Sequence, residues 1–233
     1  MYHPFSVTET LNIAWHILKK NFATIAVYSL LAIIVIAGSG FIVKFILIDT
    51  ILTYVGIMFS IIAISFTFLG FIKLVFQLID KEYYDFDFSD IVPKLKMLFS
   101  YIILLVLVST LAVFIENAIN SLEEGEIPNV LRRFSGLIIE IFFLFYFPIC
   151  ACFIVDDGSG PFESVMQSFK LIKGNFLKYF LLFLIIELLV LIGAVTLIGM
   201  IVVVPFVNIL LVVAYRKLVY SHIDAEDNFT ETV

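Results

Sequence analysis

Five stretches of this chain run for about twenty residues or more with almost no charge, and that feature limits what it can become. Phe22–Val43 ends at Lys44, Ile51–Ile72 ends at Lys73, and Met97–Ile115 is closed by Glu116 and Asn117. Leu137–Val155 contains Glu140 and Pro148 and stops at Asp156 and Asp157, while Phe176–Tyr220 is twice as long as the others. A helix of about 20 apolar residues crosses a hydrocarbon core of roughly 30 Å. The last stretch therefore has to fold back, and a break near Thr196–Gly199 divides it into helices at about 176–195 and 200–220. The reading predicts six transmembrane helices.

Composition agrees. Of 233 residues, 62% are hydrophobic and 15% charged, with 26 Phe and a mean hydropathy of +1.13. A soluble domain has about 45–50% apolar and roughly 25% charged residues. These values exclude an ordinary cytosolic enzyme, a disordered chain and a disulfide-stapled secreted module. A net charge of −6 and a pI near 5.0 give no electrostatic footprint for nucleic acid. Cys150 and Cys152, two apart in an apolar run, form no disulfide framework or zinc pattern.

Orientation follows from the cations, because Lys and Arg are enriched in cytoplasmic loops. With six spans, one side collects Lys19, Lys20, Lys73, Lys81, Lys94, Lys96, Lys170, Lys173, Lys178, Arg216 and Lys217. The other side collects Lys44, Arg132 and Arg133, which places both termini in the cytoplasm. Lys19-Lys20 followed by Phe22–Ile34 also has the outline of a signal peptide. The helical pattern of the preceding twenty residues favours a retained first span.

A repeat is visible within the hydrophobicity. Leu18-Lys19-Lys20-Asn21-Phe22 recurs as Ile172-Lys173-Gly174-Asn175-Phe176, at an offset of 154 residues. Halfway between them stands Leu95-Lys96-Met97-Leu98-Phe99, a weaker copy interrupted upstream by Pro93. The reading is a single membrane domain over 1–233. It comprises three units of about 77 residues, near 5–80, 86–156 and 160–220, and a short polar tail at 221–233. Each unit is an amphipathic interfacial helix followed by a transmembrane hairpin. The first interfacial helix opens on a capping box, Ser6-Val7-Thr8-Glu9. Its predicted apolar face is Val7, Leu11, Ala14, Trp15, Leu18 and Phe22. In the third unit Gly160 serves as N-cap, Pro161 as N1 and Glu163 as N3. Such helices lie in the headgroup boundary. The expected anchors are Trp15, Lys19, Lys20, Phe22, Lys96, Phe99, Phe169, Lys173 and Phe176. Packing against their own hairpins is the other reading, and periodicity does not separate the two.

Glu187 is the candidate for intramembrane chemistry. It lies nine residues past Lys178, about 13–14 Å deep at 1.5 Å per residue. A carboxylate there costs on the order of 2.5–3.5 kcal/mol and should face protein or water. If the last two spans turn near residue 198, Asn208 lies level with it, and Pro205 stands one turn earlier. The constellation reads either as a proton or cation site or as a protonated Glu187 bonded to Asn208 as interhelical glue. Glu140 reads as an interfacial partner of Arg132 or Arg133. No Gly-rich phosphate loop, no catalytic triad and no metal-ligand cluster stands in a soluble segment. The acidic run of Asp80, Glu82, Asp85, Asp87 and Asp90 lacks the spacing of a calcium loop. The expectation is no catalytic residue, no metal and no cofactor.

The last third carries a pattern. Phe153-Ile154-Val155-Asp156-Asp157, Ser164, Ser168, Leu171 and Lys173-Gly174-Asn175 are followed by Gly193, Gly199, Pro205 and Ala214-Tyr215-Arg216-Lys217-Leu218. Over about 145–220 it resembles the bacterial membrane domain found in some glycerophosphoryl diester phosphodiesterases and in stand-alone proteins. The resemblance implies six or more helices in the bacterial cytoplasmic (inner) membrane and supplies no catalytic residue. In fused relatives a separate soluble domain does the chemistry, and this chain has none in its sequence. The function expected is a non-enzymatic accessory or scaffold protein acting through membrane lipids, a membrane-protein partner or its own oligomer. The alternative is a transporter or channel for small solutes, ions or lipids using Glu187 and Asn208.

Overall fold

The structure, a computed structural model, describes residues 5–46, 50–80, 88–121 and 126–230. The regular structure among the described residues is all helical, without strands. In chain order the helices are α1 (Val7–Lys20), α2 (Phe22–Phe41), α3 (Thr50–Asp80), α4 (Phe88–Ile91) and α5 (Leu95–Asn120). They continue with α6 (Glu126–Ile141), α7 (Phe147–Asp156), α8 (Pro161–Lys173), α9 (Phe176–Ala194) and α10 (Leu197–Thr230). Two π-helical segments follow α2 and α6, at Ile42–Ile46 and Phe142–Tyr146. The second lies just ahead of Pro148. A proline has no N–H and its ring crowds the carbonyl four residues back, and a wider turn relieves both. Six segments are long and apolar enough to span a membrane: Phe22–Phe45, Ile51–Asp80, Ser89–Ile119, Asn129–Asp156, Phe176–Ala194 and Gly199–Ser221. This is a multi-pass architecture, with large apolar side chains such as Phe59, Phe114, Leu177 and Val195 fully on the outside.

The chain packs as two units, Met1–Lys94 with Lys170–Val233, and Leu95–Phe169. In the first, α2 lies on α3, α9 on α10, and α1 against α10, with smaller contacts to α2 and α9. Leu69, Leu74 and Val75 of α3 and Ile209, Leu210, Ala214 and Leu218 of α10 form its driest layer. The Tyr28 hydroxyl donates to the Thr67 carbonyl at 2.9 Å while its ring leans on Phe71. α4 lies on α3, where Lys73 Nζ donates to the Val92 carbonyl at 2.7 Å. In the second unit α5 packs on α6 and α7. α7 is its most buried element, with Phe147 and every residue from Ile149 to Val155 buried. Tyr101 meets Phe147 there, and the Cys150 thiol lies 3.2 Å from the Ser168 hydroxyl of α8.

The helix ends are set by residues that satisfy free backbone groups. Ser6 is the N-cap of α1, its Oγ accepting from Glu9 N, and Thr10 Oγ1 donates to the Ser6 carbonyl at 2.7 Å. Asn21 closes α1 with both its backbone N–H and its Nδ2 on the Ile17 carbonyl, and α2 starts at the next residue. Gly158, at φ +69°, takes the left-handed conformation that ends α7. Glu163 Oε2 accepts from Gly160 N ahead of α8.

The junctions at residues 5–25 and 159–179 share one pattern. The buried residues of the first are Phe5, Thr10, Ala14, Ile17, Leu18 and Ile25. Those of the second are Ser159, Ser164, Ser168, Leu171, Ile172 and Tyr179, the same six positions displaced by 154. Asn21 and Asn175 sit at equivalent places with φ/ψ of −114°/25° and −130°/27°.

Two expectations change. Lys96 and Phe99 belong to the first turns of α5 and not to a helix ahead of it. Pro93 separates α4 from α5, since the residue before a proline leaves the helical region. α10 continues into the polar tail as far as Thr230. The buried face of α1 is Thr10, Ala14, Ile17 and Leu18, whereas Trp15 and Phe22 are 48% and 58% exposed.

Candidate functional site

The polar chemistry of the first unit gathers at one end. Antiparallel packing brings the beginnings of α2 and α9 to the same end as the last turns of α3 and α10, and Asn175 Nδ2 reaches Ser221 Oγ at 3.3 Å. Arg216 bonds Asp80 at 2.7 Å and lies 4.6 Å over the ring of Phe76, which meets Tyr215 edge to face. Lys217 pairs with Glu9 of α1. Lys73 secures Val92 at the same level of α3.

The Arg216 arrangement is a stacked and hydrogen-bonded ion pair. Asp80 is about half exposed, which limits the pair, and the ring contact adds a contribution less sensitive to salt. Arg216→Gln should lower stability by about 1–2 kcal/mol, and Asp80→Asn by about 1 kcal/mol or less. A double-mutant cycle by thermal unfolding in detergent, run at low and high salt, checks both. The Asp80 part should fade with salt, and the Phe76 part should persist.

α1 presents three different faces. Its buried stripe is on the bundle. On one flank Trp15 meets Phe206 of α10 edge to face at 5.8 Å, with Lys19 Nζ 5.6 Å above the indole. On the other flank Glu9 holds Lys217. Phe206 precedes Lys217 by eleven residues, about 16 Å along α10 at 1.5 Å per residue. The Trp15 flank is thus turned toward the apolar middle of α10, and the Glu9 flank toward its charged end.

Beyond the Glu9 flank, α1 and the last turn of α3 enclose an open groove of about 630 Å³. Its apolar lining is Ile13 and Ile17 from α1 with Leu78 and Ile79 from α3. Thr8, Asn12, His16 and Lys20, spaced four apart, form a polar row along it, with Glu9 and Asn21 beside them.

The other expected residues lie apart. Lys20 and Lys173 are exposed, as is Lys96 on α5. Phe99 and Phe176 are exposed, while Phe169 stacks on Tyr146 at 4.2 Å. Glu187 is half-buried on α9. Asn208 Nδ2 donates to the Val204 carbonyl of its own helix at 2.8 Å, and no hydrogen bond joins it to Glu187 among the described residues. Pro205 is buried within an uninterrupted α10, and the carbonyl turned toward Asn208 is that of Val204. Glu140's side chain lies outside the described residues. No group of three His, Cys, Asp or Glu that could hold a metal occurs among the described residues.

Sequence reasoning missed the two long-range ion pairs and the groove. The ion pairs join residues 136 and 208 apart and leave no local trace. The groove did leave one, the four-residue spacing of Thr8, Asn12, His16 and Lys20. Compared with family models, curated proteins and solved structures, the chain matches none.

Proposed function

We propose that this chain is a non-enzymatic accessory or scaffold protein of the bacterial cytoplasmic membrane, anchored on the inner leaflet by amphipathic helices. Both termini are cytoplasmic in this reading, because the basic end gathers Lys19, Lys20, Lys73, Arg216 and Lys217. The observation that carries it is the two-sidedness of α1. Trp15 and Phe22 stay exposed on an apolar flank aimed at membrane depth, with Lys19 stationed over the indole.

The proposed architecture is three hairpins with a pseudo-threefold repeat. Its support is the shared burial pattern at residues 5–25 and 159–179, and a recurring packing rule. α1 lies on α10 and α4 on α3, and Ser168 of α8 meets Cys150 of α7, so each helix before a hairpin touches the second span of another hairpin. The likeness to the phosphodiesterase-associated membrane domain belongs to the same proposal and rests on the residues quoted for it. The transporter reading has less behind it, since Asn208 gives its amide to Val204 rather than to Glu187.

The chain has a single tryptophan, Trp15, so its fluorescence reports on the anchor directly. In vesicles, lipids brominated near the headgroup end of the acyl chain should quench it strongly, and aqueous iodide weakly. Lys19→Gln should weaken the preference for anionic over zwitterionic lipid by about fivefold, the loss of roughly 1 kcal/mol expected for one cation near the surface. Quenching by iodide with none by brominated lipid would overturn the anchor. A protein that purifies alone from native membranes, with no dependence on partner or lipid, would overturn the scaffold reading.

A further inference from the structure

α8 doubles back on the apolar segment that precedes it. After the left-handed Gly158, Ser159 N donates to the Phe153 carbonyl, Ser168 meets Cys150, and the Phe169 ring lies on Tyr146. Tyr146 stands ten residues before Asp156, the end of the fourth segment, or about 15 Å along the helix. That segment has 28 residues, about 42 Å, against a hydrocarbon core of roughly 30 Å. Even with the whole excess of about 12 Å on the α8 side, Tyr146 stays at lipid depth. α8 therefore lies alongside the membrane segment and not beyond its end. Ser164, Ser168 and Leu171 face the protein, while Phe162 and Met166, on the opposite side, are 70% and 57% exposed. With Phe169 they recur at i, i+4 and i+7, one continuous apolar stripe. The positions displaced by 154 in α1 are Thr8 and Asn12, which line the open groove. The two helices share a buried face, but only α8 is apolar on the outer one. An exposed apolar stripe at this depth, joined through Phe169 to a membrane segment, has acyl chains as its occupant.

Met166 is central in the stripe and is its one oxidisable side chain. Met58, Met97 and Met200 lie within candidate spans, which leaves Met166 as the methionine outside them among the described residues. We infer that α8 is seated in inner-leaflet lipid on Phe162, Met166 and Phe169, and that oxidation of Met166 by a hydroperoxide unseats it. The thioether sulfur takes one peroxide oxygen as the O–O bond breaks, losing two electrons to the peroxide. The departing hydroxide collects the proton of the transferred oxygen and leaves as water. The sulfoxide is polar where the thioether was apolar. The inference rests on the anchored reading and adds a chemical control to it.

The test uses the full-length chain in vesicles of phosphatidylethanolamine and phosphatidylglycerol. Trp15→Phe with Phe162→Trp makes residue 162 the single fluorophore. Lipids brominated on the acyl chain should quench it strongly, and aqueous iodide weakly. Hydrogen peroxide should add one oxygen to Met166, read by mass spectrometry. It should also move the ratio of lipid to iodide quenching about fivefold toward iodide, the penalty for a polar group in a partly hydrogen-bonding apolar site. Met166→Gln should reproduce that shift without peroxide, and Met166→Leu, with no sulfur to oxidise, should abolish the response. The melting temperature should hold in Met166→Gln, which separates an unseated helix from an unfolded one. Iodide quenching with none by lipid before oxidation would overturn the seat. A peroxide response that survives Met166→Leu, or an oxidised Met166 with no shift, would overturn the control. Trp15 in the otherwise native chain reports on α1 alone. Failure at residue 162 with Trp15 still quenched by lipid would sink this inference only, and failure of both would sink the anchored reading with it.

Discussion

Gly199→Val should destabilise the protein by about 3 kcal/mol, the upper range for forcing volume into a closed site. The turn between α9 and α10 is only two residues, Val195 and Thr196. It closes because Gly193 and Gly199 come together. A Cβ on Gly199 would lie 2.7 Å from the Gly193 carbonyl oxygen, 2.7 Å from Thr196 Oγ1 and 3.1 Å from the Gly193 Cα. Two of these three neighbours are backbone and cannot swing away. Thr196 Oγ1 is also engaged, accepting from Gly199 N at 3.0 Å in the first turn of α10. The melting temperature in detergent should fall by roughly 5–10 °C. Val195→Ala, two residues past Gly193 at a site 82% exposed, is the control and should change little. Equal effects of the two substitutions would mean that close approach of the glycines is not what holds this turn.

Gly70→Ala should cost about 2 kcal/mol and should be rescued in part by removing a distant hydroxyl. A Cβ at Gly70 runs into the Tyr28 hydroxyl, with the Ile91 carbonyl at 3.4 Å. The Tyr28 ring is held by Phe71 and its hydroxyl by Thr67, so yielding means giving up the bond to Thr67. Tyr28→Phe alone loses one hydrogen bond, about 1 kcal/mol. In that background the methyl group at residue 70 has room, so the double variant should be barely less stable than Tyr28→Phe. The measurement is a double-mutant cycle, with a favourable coupling of about 1–2 kcal/mol expected. Additive losses would show that the hydroxyl is not the obstacle.

The six apolar segments were legible because a charge-free run of this length has few other solutions in water or lipid. Their ends were less so. The second span continues to Asp80 past Lys73, and the third and fourth begin at Ser89 and Asn129, eight residues ahead of the charge-free runs. The reason is that a helix carries on through isolated charged residues near its end. The face of α1 was not legible. Hydrophobic periodicity treats protein-facing and lipid-facing positions alike, so Trp15 and Phe22 merged with Ala14 and Leu18 into one stripe. Thr10 escaped notice because its hydroxyl, bonded back to Ser6, lets a polar residue occupy a dry position. At Glu187 and Asn208, equal depth was readable but side-chain direction was not. Asn208 sits one turn after Val204 and finds an acceptor on its own helix without crossing to α9.

The most direct test of the whole account is the sidedness of the short connections. Starting from a cysteine-free chain (Cys150→Ala, Cys152→Ala), single cysteines are introduced by Thr8→Cys, Ser89→Cys and Asp157→Cys, and separately by Ser121→Cys and Val195→Cys. An impermeant thiol reagent applied to intact cells should label the second pair and miss the first three. Applied to inside-out vesicles, it should do the reverse. Labelling of Ser89→Cys or Asp157→Cys from the same side as Val195→Cys would contradict six spans with one basic end.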